Sequence, residues 1–352
     1  MADEDVGTPM SFASDNAAPA HPAFLAAIAA ANEGTSPSYG DDAWTARAHA
    51  LLCETFETQC AMFLVPTGTA ANALSLAAMT PPWGAVFAHA HAHVVEDEAG
   101  APEFYTGGAR LLQMTGAHAK LDAEALAREA AKYPRSWVHG AQPFAVTITQ
   151  ASEAGGAYTP EETAAIARVA HANGYKLHMD GARFANACAH LGAAPAELSW
   201  RAGVDALSFG ATKNGAIGCE AIVAFDPDVA AQLPHLRKRA GHLLSKHRYA
   251  AAQMCAYLED GLWLRLAAHA NAIAARLAEG FTRAGFALLH PVEANEVFVS
   301  LPPAAQTALS GAGIGFYPWA VDGEGACRFV ASWANREDDA DAVIALCAGA
   351  RR

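Results

Sequence analysis

Short apolar runs alternate with alanine-rich stretches through the middle of the chain. AMFLV at 61–65, FAVTITQ at 144–150, KLHMD at 176–180, ALSFG at 206–210 and EAIVAF at 220–225 each have the length and bulk of a buried strand. The stretches between them carry helix signals. From Thr159 to Asn173 the chain offers an N-cap threonine, proline at the first helical position and two glutamates in the first turn, with Gly174 past the end. Earlier, Pro22 opens PAFLAAIAAAN, which closes near Gly34, and after Asp42 the residues Trp44, Ala48, Leu51 and Leu52 form an apolar stripe. Strands alternating with helices predict an α/β fold, with a mostly parallel sheet covered on both faces. In such sheets ligands bind at the carboxyl ends of the strands.

The pattern changes after residue 230. A basic stretch, LRKRAGHLLSKHR at 236–248, leads into a helical region through Arg283, followed by FALLHP, NEVFVSL, a glycine-rich turn at 310–316 and ACRFVASW. Two or three strands with flanking helices predict a smaller α+β domain. The expected division is an arm over 1–20 whose first ten residues are frayed, a large domain over 21–254 and a small C-terminal domain over 255–352. No period of repeat length recurs.

Composition narrows the class. The 352 residues are 53% hydrophobic and 17% charged, enough apolar material for a packed core. A net charge of −13 without a lysine–arginine stripe argues against a nucleic-acid partner. No run reaches the roughly 18 apolar residues of a spanning helix, and MADEDVGTPM has no basic region before an apolar one. Seven cysteines, an odd number with no C-x-x-C pair, read as reduced thiols and hence a cytoplasmic protein.

Three strand ends carry chemistry. Pro66-Thr-Gly-Thr-Ala-Ala-Asn72 places small residues at a strand-to-helix turn, where backbone N–H groups and the helix dipole receive an anion; a plain tight turn has the same composition. Asp180-Gly-Ala-Arg183 puts a carboxylate and a guanidinium after KLHMD, as an ordinary strand-end ion pair also would. Ser208-Phe-Gly-Ala-Thr-Lys213-Asn sets a lysine in apolar, glycine- and alanine-rich surroundings, suited to Schiff-base chemistry. An anion cradle, an acid and such a lysine on three strands of one sheet are the parts that pyridoxal phosphate needs.

These segments resemble the low-specificity L-threonine aldolases, within the fold-type-I pyridoxal-phosphate enzymes. The likeness runs through SFASDNAAPAHP (11–22), SPSYGDD (36–42), PTGTAAN (66–72), HVVEDEAGAPE (93–103), HMDGARFANA (178–187), SFGATKN (208–214) and ACRFVASW (326–333), nearly the whole chain. The resemblance implies pyridoxal 5'-phosphate as cofactor, and a homo-oligomer, dimer or tetramer, with active sites at subunit boundaries. It implies cleavage of L-threonine, L-allo-threonine and related L-β-hydroxy-α-amino acids to glycine and an aldehyde. Lys213 then corresponds to the cofactor-bound lysine and Asp180 to the partner of the pyridine nitrogen. Arg183 would reach the ring oxygen or the substrate carboxylate, Gly68 and Thr69 would cradle the phosphate, and Thr212 would be a second donor. His93 matches the histidine stacked on the ring, Ser14 and Arg328 match positions holding the substrate carboxylate, and Tyr39 enters the site, from its own or a neighbouring subunit. Arg248 answers to a basic residue near the phosphate. One departure stands out: many relatives carry Asn-Thr-His after the strand, whereas here it ends Thr149-Gln-Ala-Ser-Glu153, which leaves the base for the β-hydroxyl proton open between His93, a water and another group.

Three other readings compete. A strand over 86–94 would align His89, His91 and His93 on one face, a metal-hydrolase pattern that leaves Lys213 and Asp180 without work. A non-catalytic binding module predicts no chromophore. A β-eliminating lyase on a β-substituted amino acid would use the same cofactor machinery.

Overall fold

A computed structural model describes residues 10–350 of the chain; most of the tail expected over 1–10 lies outside them. Ten strands order the fold: β1 (Ala61–Val65), β2 (Gly84–His89), β3 (Arg110–Met114), β4 (Gln142–Thr149), β5 (Lys176–Gly181), β6 (Ala206–Gly210), β7 (Glu220–Ala224), β8 (Glu296–Ser300), β9 (Tyr317–Pro318) and β10 (Ala326–Val330). The first seven form one sheet in the order β1-β7-β6-β5-β4-β2-β3. Only β7 runs against its neighbours; every other pair is parallel. Parallel strands need helical crossovers, and those helices cover both faces, so β2, β6 and β7 are buried along their whole length. The α/β fold expected from the alternating pattern is the one found.

Local chemistry sets the helix ends. Thr159 and Glu162 close a reciprocal capping box on Pro160–Ala172, and Asp42 caps Ala43–Thr55 through the Thr45 N–H. β4 begins two residues before its apolar run, taking in Gln142 and Pro143. β2 stops at His89, and His93 opens a separate short helix, so the three histidines of H-A-H-A-H do not share a strand face. No group of three or more potential ligands among the described residues could hold a metal ion.

Strands β8, β10 and β9 make a small antiparallel sheet. The Leu262–Arg283 helix serves two cores: Trp263, Leu266 and Ala267 pack with the large sheet, while Ile273, Ala274, Leu277 and Phe281 pack with the small one. Phe12 is also in the small-sheet core, tied by backbone bonds from Phe12 N–H to Gly315 O and from Val330 N–H to Phe12 O. The chain then turns back to the large sheet, where the His21 N–H donates to the O of Gly215 between β6 and β7. All seven cysteines are free thiols. Among the described residues no helix is long and apolar enough to cross a membrane.

Candidate active site

The carboxyl ends of β1, β4, β5 and β6 open onto one cavity of about 300 Å³. Gly68, Thr69, His93, Asp180, Arg183, Thr212 and Lys213 all line it. β7 enters the sheet from this same end, because Glu220 pairs with both Val65 and Gly210, and Glu220 lines the cavity too.

The Gly68–Met79 helix starts directly after β1. Thr67 caps it: its hydroxyl accepts from the Ala70 N–H at 3.1 Å and its carbonyl from the Ala71 N–H. The N–H groups of Gly68 and Thr69 are left without an acceptor among the described residues, at the positive end of the helix dipole. A Cβ on Gly68 would meet nothing within 4 Å, so there is room for an anionic group to approach. Lys213 lies in a short turn after β6, half-buried, with no hydrogen bond or ion pair to any described residue. Behind it, buried Glu220 accepts the Ala211 N–H at 2.8 Å and so ties the turn to β7. Burial pushes the Glu220 carboxyl up to about 7, against opposing bonds from Thr212 and Ala211.

Asp180 closes β5. Its Oδ1 accepts the Ala182 N–H at 3.0 Å and its Oδ2 accepts from Asn72 Nδ2 at 2.8 Å. The close approach of the next strand fixes the turn: a Cβ on Gly181 would fall 2.5 Å from Leu207 and 2.8 Å from Ser208 O. Asn72 also donates to Glu98 Oε1 at 2.8 Å, and Glu98 Oε1 contacts His93 Nδ1 at 2.9 Å. This bond to Glu98 raises the His93 pKa above the usual imidazole value, although burial opposes it. A connected path therefore runs from His93 through Glu98 and Asn72 to Asp180.

The family model for beta-eliminating lyases matches residues 11–303. Low-specificity L-threonine aldolases of Pseudomonas aeruginosa and of a further Pseudomonas species are 47% and 44% identical to this chain, each covering 92% or 93% of both sequences. The chain belongs to the low-specificity L-threonine aldolase family. A threonine aldolase structure from Leishmania major superposes with a TM-score of 0.90 at 27% identity, over 96% of this chain and 98% of that one. The architecture is that of the fold-type-I enzymes.

Within this threonine aldolase fold, four residues singled out in the sequence stand off the cavity wall. Ser14 caps the turn Asp15–Ala17 by accepting from the Asn16 N–H at 3.2 Å; Asn16 lines the cavity and Ser14 does not. Arg328 on β10 stacks on Trp319 and Tyr317, with centroid distances of 4.7 and 5.3 Å, and its buried Nε has no hydrogen-bond partner among the described residues. Tyr39 is 49% exposed, at φ 61°, with Lys238 over its ring. Arg248 donates to Gly34 O at 3.1 Å, near Tyr249.

Arg183 borders the cavity but is already engaged. Its Nε and Nη2 donate to Asp15 at 2.8 and 3.2 Å, and Nη1 lies 3.2 Å from Glu296 Oε2. Burial works against this charge, yet the two carboxylates prevail and raise the Arg183 pKa. Burial would likewise raise Asp15, but Arg183 and Lys213 hold it below the usual carboxylate range.

Five carboxylates to which the sequence assigns no role line the cavity or bond to residues that do: Asp15, Glu98, Glu153, Glu220 and Glu296. Each takes its meaning from burial or from a partner far along the chain. Glu98 and Glu153 do fall in distinctive segments, HVVEDEAGAPE and the strand end after Thr149, but several acids stand in the first and only packing selects one.

Proposed function

We propose that this protein cleaves L-threonine, L-allo-threonine and related L-β-hydroxy-α-amino acids to glycine and an aldehyde, using pyridoxal 5'-phosphate. The carrying observation is the convergence on one cavity of Lys213 and the N–H groups of Gly68 and Thr69, all without partners among the described residues, and of Asp180 fixed by Asn72. The residues fit the cofactor: open space above Gly68 suits its phosphate, Lys213 Nζ is free for its aldehyde, and Asp180 supplies a negative partner for its ring nitrogen. When bound, that cofactor supplies an electron-accepting ring for the pair released at Cα.

Each side chain then has a defined task. Asp180 would hold a proton at the ring nitrogen, and Asn72 keeps the carboxylate in place. His93, oriented by Glu98, would cover the ring. Lys213 would hold the cofactor through Nζ. Ser14, Arg183 and Arg328 are proposed to orient the substrate carboxylate; Arg183 would do so while still paired with Asp15. Tyr39 stands exposed on the single chain, in keeping with a role across a subunit boundary in a homo-oligomer, dimer or tetramer. Cytoplasmic residence fits the reduced thiols.

The test is acetaldehyde release from L-threonine, coupled to alcohol dehydrogenase and NADH, in the wild type and in Lys213→Ala. NADH consumption by the wild type alone is expected. Equal rates in both would remove Lys213 from the chemistry.

A further inference from the structure

Three carboxylates line the cavity, and they differ in what their oxygens do. Asp180 has both oxygens bonded, to the Ala182 N–H and to Asn72. Glu220 accepts the Ala211 N–H and serves the lysine turn. Glu153, just past β4, spends only Oε1, which accepts the His93 N–H at 2.9 Å and the Thr149 hydroxyl at 2.8 Å. Its Oε2 is shielded from solvent and has no hydrogen-bond partner among the described residues. A shielded carboxylate oxygen without a donor is costly unless something brings a donor to it.

A substrate β-hydroxyl is such a donor. We propose that Glu153 is the general base that takes the β-hydroxyl proton during cleavage, an inference that rests on the aldolase reading above. The O–H bond breaks and its proton passes to Oε2. The O–H electron pair becomes the second bond of the departing aldehyde carbonyl. The Cα–Cβ bond breaks, its pair remains at Cα delocalised into the cofactor, and Cα then takes a proton to become glycine. His93, its Nδ1 held by Glu98, is assigned the separate task of covering the ring. Glu153 is suited to the work: burial, aided by the nearby charge of Asp180, pushes its carboxyl up to about 7, so it exchanges protons near neutrality. A glutamate just beyond the strand thus fills the role left open by the missing histidine of the Asn-Thr-His segment.

Glu153→Gln separates this role from a structural one. The amide oxygen keeps the acceptor for His93 and Thr149, while the amide nitrogen cannot take a proton. For cofactor-loaded variant enzyme, kcat for L-threonine cleavage is expected to fall about 10²- to 10⁴-fold. Exchange of the glycine α-proton in D₂O, followed by NMR, needs no β-hydroxyl base and should stay close to the wild-type rate. Affinity of the apoprotein for pyridoxal phosphate, titrated by absorbance, should be unchanged. Cleavage near the wild-type rate would overturn the proposal. Parallel loss of cleavage and glycine exchange, or of cofactor affinity, would also overturn it and make Glu153 a support for His93. A wild type that releases no acetaldehyde would instead overturn the aldolase reading, and the assignment of a β-hydroxyl base with it.

Discussion

Asn72 Nδ2 sits 2.8 Å from Asp180 Oδ2, although 108 positions separate the two residues. The same nitrogen lies 2.8 Å from Glu98 Oε1, so one amide bridges two buried carboxylates. This bridge sets the direction of Asp180 and, through Glu98, of His93. It also explains why PTGTAAN ends in asparagine: its first residues make the helix cap, and its last reaches across to the neighbouring strand end.

Replacing Asn72 with alanine removes the donor between Glu98 and Asp180, leaving His93 and the Ala182 N–H as their remaining partners. Losing hydrogen bonds to buried charged groups costs roughly 1.5–3 kcal/mol. Urea unfolding of the apoprotein should show a stability loss of that size for Asn72→Ala. An unchanged midpoint would mean that the bridge carries no weight.

Removing Arg183 should hurt more. Its guanidinium stands between Asp15 of the arm and Glu296 of the small sheet, so it pins three parts of the chain together. Arg183→Leu strands two buried carboxylates, and breaking a buried pair in this way costs about 3–5 kcal/mol. Denaturant titration should rank it below Asn72→Ala. A smaller loss than for Asn72→Ala would argue that Arg183 is held there for substrate and not for the fold.

The share of apoprotein stability owed to Glu153 and Glu220 should fall as pH rises from about 5 to 7, against the opposite trend of buried His178 and His247, whose pKa burial lowers to about 4. Burial pushes both Glu153 and Glu220 up to about 7, well above the ordinary glutamate value of 4.5. Between those values these two carboxyls bind more protons in the native state than in the unfolded chain, so their contribution to the slope of unfolding free energy with pH is negative. The stability is fully present below the unfolded pKa and lost as pH passes through the folded one. Each group accounts for up to roughly 3 kcal/mol, since every pH unit separating its folded and unfolded pKa is worth about 1.4 kcal/mol. Glu153→Gln should flatten part of this slope, as read by urea titrations at several pH values. A slope identical to wild type would show that Glu153 titrates normally.

Asp180→Ala should slow L-threonine cleavage about 10²- to 10³-fold, the usual loss on removing a preorganised electrostatic partner. Pyridoxal phosphate should still bind through Gly68, Thr69 and Lys213. Unchanged turnover would take Asp180 out of its role.

Much of this was legible in the sequence. Strand runs such as ALSFG stand as read because buried parallel strands are short and continuously apolar, and the capping box at Thr159 is purely local. The cavity-lining Gly68, Thr69, Asp180, Arg183, Thr212 and Lys213 stand at or just past the ends of strands, where an α/β sheet gathers its ligands. Less was legible where meaning depends on a distant partner. Nothing local marks Glu296 as facing Arg183, or Asp15 as clamping it, because those contacts arise only when the N-terminal segment and the small sheet fold against the end of β5. The H-A-H-A-H alignment failed because β2 ends at His89, and period two says nothing about where a strand stops.

The most direct test is to incubate the cofactor-loaded protein with uniformly ¹³C-labelled L-threonine and identify the products by NMR. Labelled glycine and acetaldehyde in equal amounts are predicted. Labelled 2-oxobutanoate with ammonia would contradict cleavage at the Cα–Cβ bond and make the protein a β-eliminating enzyme on the same scaffold.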